Sequence, residues 1–268
     1  MYKRQKIGLS GSITHKRPDK PNYTADYPMP SHNEAIALVL KLLTDPELGV
    51  ISDVREISAV GHRFAHGGKF TKSCILGDEE LRYIESIIPI NPLHGPPALK
   101  GVAACMSLMP DKPQVGVFDT SFYSEFDKKA YIYPLPYEWY EKYHIRRYGF
   151  HGTSHRYVSA EAARFLGMDY NNVKIISCHL GSGSSITAVK NGRAIDTSLG
   201  FTPQEGLPMG TRCGSIDPSI IPYMIDKTGM SADEINDVLN KKSGLLGVSG
   251  VSNDARDGWA AADSGNER

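Results

Sequence analysis

Three short segments hold side chains able to grip and neutralise a phosphate or a carboxylate. Gly61-His62-Arg63-Phe64-Ala65-His66-Gly67-Gly68 sets one arginine and two histidines between glycines. Glycine lets the backbone approach a ligand closely, and a guanidinium held there can take a carboxylate or phosphate in bidentate fashion. The same composition also describes a surface turn with solvated charges. Gly210-Thr211-Arg212-Cys213-Gly214 places a second arginine between glycines, after the turn-rich Phe201-Thr202-Pro203-Gln204-Glu205-Gly206. Tyr148-Gly149-Phe150-His151-Gly152-Thr153-Ser154-His155 puts His151 ahead of an expected helix start, with Thr153 or Ser154 as its cap. A histidine there can donate to a transferring phosphoryl oxygen, or simply fix the loop.

Two further features bear on the same chemistry. His179-Leu180-Gly181-Ser182-Gly183-Ser184-Ser185 joins two strand-like runs, so its amides can face a polyphosphate from a β-turn rather than from a helix start. A glycine-rich hairpin without that role fits the same residues. Asp119 follows the apolar run 115–118, and the end of a buried strand is where α/β proteins place ligands. Asp119-Thr120-Ser121 suits a metal-linked carboxylate. Two arginines, one histidine and one aspartate together suit phosphoryl transfer, which rests mainly on positioning and charge neutralisation.

The elements that must position these groups alternate between helix and strand. Ser31-His32-Asn33-Glu34 has the form of a capping box and opens a helix that Asp45-Pro46 should end. A short strand is expected over 56–60, helices over 78–88 and 97–108, and a buried strand over 115–118. Strands are expected over 175–178 and 186–189, with Asn191-Gly192 as the tight turn into 194–197. Asp217-Pro218 should cap a helix that Gly229 stops, and Ser231-Ala232-Asp233-Glu234 is a second capping box. The tail after residue 257 reads as polar and frayed. The class is α/β.

Composition narrows the functions available. With 268 residues, 40% of them hydrophobic, the chain can bury a substantial core. Thirty basic residues balance thirty acidic ones, so no overall field draws it to nucleic acid or to an anionic membrane, and any bound anion must be held by local charge. Cys74, Cys105, Cys178 and Cys213 fit no zinc-ligand spacing and read as reduced thiols of a cytoplasmic protein. No window approaches a membrane-spanning length.

Seven segments, GHRFAHGG, NPLHGPP, VFDTSFY, RRYGFHGTSH, SCHLGSGSS, DTSLGFTPQEGLPMGTRCGSIDP and KKSGLLGVSGVSNDARD, resemble segments of the acetate kinase family, in the family's order. The resemblance runs from about Lys6 to Arg268. It implies the two-domain, actin-like fold of the sugar kinase superfamily, with residues 1–121 in the N-terminal domain and 122–268 in part of the C-terminal, nucleotide-binding one. It implies an active site in the cleft and reversible phosphoryl transfer from ATP to acetate with Mg2+ or Mn2+, giving acetyl phosphate and ADP. A homodimer is the usual assembly of that family.

Carried over by position, the resemblance assigns Arg63 and Arg212 to the carboxylate and the moving phosphoryl group, and His151 to that group's charge in transit. Asp119 becomes the catalytic acid of the family. It is read here as holding Mg2+ or its water rather than as a base, because a carboxylic acid with a pKa of about 4 is already ionised at neutral pH. His179, Leu180, Gly181, Ser182 and Gly183 should contact ATP phosphates. Ala65, Leu93, Phe150 and Pro203 should line the apolar pocket for the acyl methyl, with His94 shaping the cleft.

The chain also departs from the family pattern. The family's first strand, its N-x-G-S-S-S-x-K loop and its return strand have no counterpart here, and the late adenosine-binding loops and Mg2+-binding glutamate are missing too. The resemblance therefore implies a chain truncated at both ends and an incomplete nucleotide site. Propionate or butyrate kinase, or a catalytically inactive fragment, are the alternative readings. Ala65 stands where valine is expected, so a longer acid should fit better.

Overall fold

The computed structural model of the chain describes residues 2–5, 10–92 and 94–268. They form two compact units, one made of residues 1–64 and 72–117, the other of residues 65–71 and 118–268.

In the first unit, β1 (Tyr2–Gln5), β2 (Ser10–Arg17) and β3 (Lys20–Pro28) form an antiparallel sheet in that order. Helix α1 (His32–Leu43) begins where the sequence places it, the Ser31 hydroxyl accepting the Asn33 N–H at 3.1 Å. Its buried Ala35 and Leu42 lie a whole two turns apart and so share one face, which packs with Ile13 of β2 and with Met29 into an apolar core.

A second sheet has the order β4-β6-β5, from β4 (Val60–Phe64), β5 (Cys74–Ile75) and β6 (Gln114–Phe118). The strand expected over 56–60 is displaced. Residues Val54–Glu56 make a 3-10 turn in which Asp53 caps the Arg55 N–H at 2.7 Å and the Glu56 carboxylate takes the Asp53 N–H at 3.0 Å, so strand pairing starts only at Val60. Helix α2 (Asp78–Ser86) precedes α3 (Gly95–Leu108), which packs against α1, α2 and β4. Pro96 and Pro97 sit in the first turn of α3, where helical N–H groups lack partners anyway, so the helix starts two residues earlier than expected.

The second unit contains short helices α4 (Lys128–Tyr131) and α5 (Tyr137–Tyr143), the longer α6 (Gly152–Phe165), and an antiparallel sheet of β7 (Lys174–Leu180), β8 (Ser184–Lys190) and β9 (Arg193–Thr197). Asn191 and Gly192, with φ of 54° and 76°, make the expected left-handed turn between β8 and β9. Helix α7 (Ile220–Thr228) ends at Gly229 with φ 72°, and α8 (Ala232–Lys241) carries the Ser231–Glu234 capping box.

Two helices close the chain: α9 (Gly244–Ser249) and α10 (Ala255–Asp263). The tail is thus not frayed from residue 257. Asp254 caps α10 through the Arg256 N–H at 2.9 Å, and Trp259 with three alanines supplies helix-forming sequence. Among the described residues no helix is long and apolar enough to cross a membrane.

Candidate active site

The centre of the second unit is the turn joining β7 to β8. The last paired residues are Leu180 and Ser184, and the three residues between them close on themselves through the Gly181 N–H donating to the Gly183 carbonyl at 3.1 Å. Gly183 is the meeting point. A methyl group added to it would lie 3.4 Å from His151 Nε2 and 3.5 Å from Arg212 Nη1. Two side chains that are separated widely in sequence therefore address one spot beside the glycine turn.

His151 reaches that spot because the chain enters α6 in a sharp bend. His151 has φ 57°, in the left-handed region that few side chains adopt. The neighbouring Gly152 approaches so closely that an added Cβ would sit 1.9 Å from the Asp119 carbonyl oxygen. Asp119, wholly buried at the start of a 3-10 turn (Asp119–Tyr123), takes the His151 N–H through Oδ2 at 3.1 Å. The expected caps do not act here: Thr153 and Ser154 lie inside the helix, where Ser154 instead bonds His179 Nδ1 at 2.9 Å. The Asp119 carboxylate serves the helix entrance, which suits the positive end of the helix dipole.

The His151 ring is held on both faces of its function. His179 stacks on it with centroids 4.1 Å apart and an interplanar angle of 28°. Its Nδ1 lies 2.8 Å from the Ser185 hydroxyl, which is also 2.7 Å from His155 Nε2; His155 Nδ1 in turn lies 2.9 Å from the Ser177 hydroxyl. His155 and Ser185 are entirely buried. Burial first, and then the neighbouring His179, pull the His155 pKa down to about 4, so its ring is neutral at ordinary pH.

Arg212 is fixed from its own side. Its Nη1 donates to the Pro203 carbonyl at 2.9 Å, and the Gly210 N–H ties its loop to the Ser182 carbonyl at 3.1 Å. Gly244, with φ 61°, lets α9 seat itself on that loop, since a Cβ there would lie 2.0 Å from the Met209 carbonyl oxygen. Burial lowers the Arg212 pKa, and among the described residues no carboxylate pairs with it. A partly dry guanidinium without a carboxylate is a site for a mobile anion.

The turn that carries Pro203 is braced by Glu205. Its carboxylate takes Arg147 Nη2 at 3.0 Å and the Tyr133 hydroxyl, and the Phe201 N–H returns to the same hydroxyl at 2.9 Å. Burial and the Glu205 contact raise the pKa of that hydroxyl well above its ordinary value. Ala65 and Tyr148 pack against an apolar cluster of Phe150, Leu199 and Met209.

Arg63 lies exposed on β4 of the first unit, and His94 is the residue preceding α3. Leu93 lies outside the described residues. Leu180, Gly181 and Ser182 are exposed on the turn. The sequence assigns no side-chain role to His155, Ser177, Ser185 or the Arg147–Glu205 pair, although all lie in or beside the segments quoted above. For His155 the spacing of four from His151 is a legible signal.

Comparison with known proteins fits this geometry to a family. The family profile described as the Acetokinase family matches residues 5–268. The acetate kinase of Caldanaerobacter subterraneus subsp. tengcongensis is 54% identical over 267 residues, covering 98% of this chain and 67% of that protein. The acetate kinase of Thermosipho melanesiensis is 54% identical over 256 residues, covering 94% of this chain and 63% of its own length.

Among solved structures, Porphyromonas gingivalis acetate kinase superposes with a TM-score of 0.89 at 46% identity, covering 98% of this chain and 67% of that one. A propionate kinase from Francisella tularensis gives 0.89 at 39% identity, covering 98% and 66%. The chain spans about two thirds of the length of these relatives. Nearly every residue of the chain takes part in these matches, and by sequence and by α/β fold alike it belongs to the acetokinase family.

Proposed function

We propose that the chain acts in reversible phosphoryl transfer between ATP and acetate, giving acetyl phosphate and ADP. The observation that carries this reading is the convergence of His151 Nε2 and Arg212 Nη1 beside Gly183. In the forward direction a carboxylate oxygen of acetate forms a bond to the γ-phosphorus while the bond to the ADP oxygen breaks in line with it. Acetate is already ionised, so no general base is needed. What must be supplied is cancellation of the charge on the phosphoryl oxygens, and a guanidinium and an imidazole N–H aimed at one spot supply it.

The Gly181 N–H is committed within the turn, so phosphate contacts fall to the Ser182 and Gly183 amides. Arg63 is assigned to the carboxylate of the acid. Phe150, Pro203 and Ala65 are assigned to the acyl methyl.

Mg2+ would be carried to the site on the nucleotide. Among the described residues no three acidic, histidine or cysteine side chains are grouped to hold a metal. Asp119 is wholly buried, with Oδ2 engaged by His151. Of the expected residues, Asp119 is the one that would hold such an ion, indirectly through water. Such an ion would neutralise phosphate charge.

The test is hydroxamate trapping of the acyl phosphate, and ADP release, measured for the 268-residue chain and for a version extended to the length of its relatives. The extended version should turn over acetate with ATP. Failure of that version to form any acyl phosphate, from acetate or propionate, overturns the reading. Ala65 favours propionate as a competing acid, because it leaves more room than valine against Phe150 and Met209.

A further inference from the structure

The three side chains behind His151 form with it a single hydrogen-bonded file: Ser177 Oγ to His155 Nδ1 at 2.9 Å, His155 Nε2 to Ser185 Oγ at 2.7 Å, and Ser185 Oγ to His151 Nδ1 at 2.8 Å. Every contact is short enough to require one donor and one acceptor. The file can run in two directions, and the direction decides what His151 presents to the phosphoryl group.

If His155 carries its proton on Nδ1, it donates to Ser177, Ser185 donates to His155, and His151 must carry its own proton on Nδ1. The Ser177 hydroxyl hydrogen then has no acceptor, because His155 is the one side-chain partner of Ser177 among the described residues, and Ser177 is only 3% exposed. A buried donor left unmade is costly, whereas an oxygen lone pair left over costs less. In the opposite direction Ser177 donates to His155 Nδ1, His155 Nε2–H donates to Ser185, and Ser185 donates to His151 Nδ1. Every proton between the four side chains then has an acceptor, and the remaining one, on Nε2 of the half-buried His151, faces the site rather than the interior.

We infer that Ser177, His155 and Ser185 are positioning residues that fix the tautomer of His151, keeping the ring proton on Nε2, where it faces the spot shared with Arg212 and Gly183. His151 can then donate to a phosphoryl oxygen as a neutral ring, without first acquiring a proton. Burial supports a neutral file by keeping His155 uncharged at ordinary pH. This inference deepens the phosphotransfer reading and rests on it for its meaning, but the tautomer itself can be measured without turnover.

The experiment is long-range proton–nitrogen correlation spectroscopy at pH 7.5 on the whole chain labelled with 15N-histidine, the His151 signals being assigned by their loss in His151→Gln. The wild type should show His151 protonated at Nε2 and bare at Nδ1. Ser185→Ala should collapse that preference toward a mixture, and Ser185→Thr, which keeps the hydroxyl, should retain it. In the turnover assay Ser185→Ala should lower kcat by roughly tenfold, the worth of one well-placed hydrogen bond, with KM for the acid unchanged and with recovery in the threonine variant.

A His151 proton on Nδ1 in the wild type overturns the proposal, as does an unaltered tautomer in Ser185→Ala. Equal loss of activity in the alanine and threonine variants also overturns it, since that marks a packing role. Failure of the kinase reading would instead appear as absence of acyl phosphate from wild-type protein whose His151 proton still sits on Nε2.

Discussion

The two units differ in what backs their antiparallel sheets. In the first, Ile13, Met29, Ala35 and Leu42 meet with no polar partner among them, and partly buried Tyr23, Leu38 and Val39 seal the edge. In the second, the sheet is backed by buried Ser177, Ser185, Thr187 and Thr197, with His155 alongside. Thr187 bonds Thr197 at 2.8 Å, and the Tyr123 hydroxyl spans Thr187 at 3.1 Å and the Phe150 carbonyl at 2.7 Å. Apolar packing tolerates many arrangements of similar volume, but a satisfied polar network admits few. The polar core lies under His151 and Phe150, where a side chain must be held to a fraction of an ångström.

If that contrast is right, the two units should break differently. The largest effect is expected from Arg212→Ala, which removes the guanidinium at Gly183. It should cut kcat of the extended protein by roughly a thousandfold, the scale on which an arginine acts in phosphoryl transfer, while the thermal midpoint of the chain changes little. A loss within tenfold would show that Arg212 is not at the transferring group.

The apolar core supplies the complementary case. Leu42 is 4% exposed and faces Ile13, Met29 and Ala35. Leu42→Ala should cost about 2–5 kcal/mol of stability through lost burial and the cavity left behind. Hydrogen exchange should localise the loosening to β2, β3 and α1. Protection in β7 and β8 falling by the same amount would refute the idea of two separately organised cores.

How much of this was legible in the sequence follows the same divide. The Ser231 capping box and the Asn191-Gly192 turn act through neighbours three or fewer residues away and form as expected, whereas Ser31 caps the helix through the Asn33 N–H rather than closing the expected box with the Glu34 N–H. The strand expected over 56–60 gives way to another local signal, the Asp53–Glu56 box. Strands β1–β3 escaped notice because their apolar signal is thin: among β3 residues only Tyr23, Ala25 and Tyr27 alternate inward. In the site, residue types pointed to His151 and Arg212. Ser185 and Ser177 were invisible in their roles, because those roles exist only through partners 34 and 22 residues distant.

A smaller effect should separate packing from recognition within the second unit. Ala65 touches the Phe150, Leu199 and Met209 cluster. Ala65→Val in the extended protein should shift kcat/KM toward acetate over propionate by roughly tenfold, because a methylene in an apolar pocket is worth about 1–3 kcal/mol. Stability should hardly move. Equal acid ratios in both proteins would remove Ala65 from the acyl pocket.

The smallest effect is the dependence of stability on pH; burial lowers the pKa of His15 in the first unit, and the larger shifts lie in the second. Burial, followed by the nearby Arg146 charge, draws the His66 pKa down to about 4, and burial with His179 does the same for His155. Both rings stay neutral in the folded chain while their unfolded counterparts take up a proton near the ordinary value of 6.5. The unfolded state therefore binds more protons between these values, and stability must fall as pH drops from 6.5 toward 4. Asp53 and Asp254, held at about 2 chiefly by Arg55 and Arg256, act elsewhere: their contribution is present above 3.8 and is lost only as pH falls from there toward 2.

Urea midpoints measured from pH 7 to 4.5 should therefore decline while these carboxylates remain ionised. His155→Gln, which cannot gain the proton, should flatten part of the slope. Midpoints that stay level across this range would mean that the two imidazoles are not held neutral by burial, and the contrast between a polar and an apolar core would lose its electrostatic half.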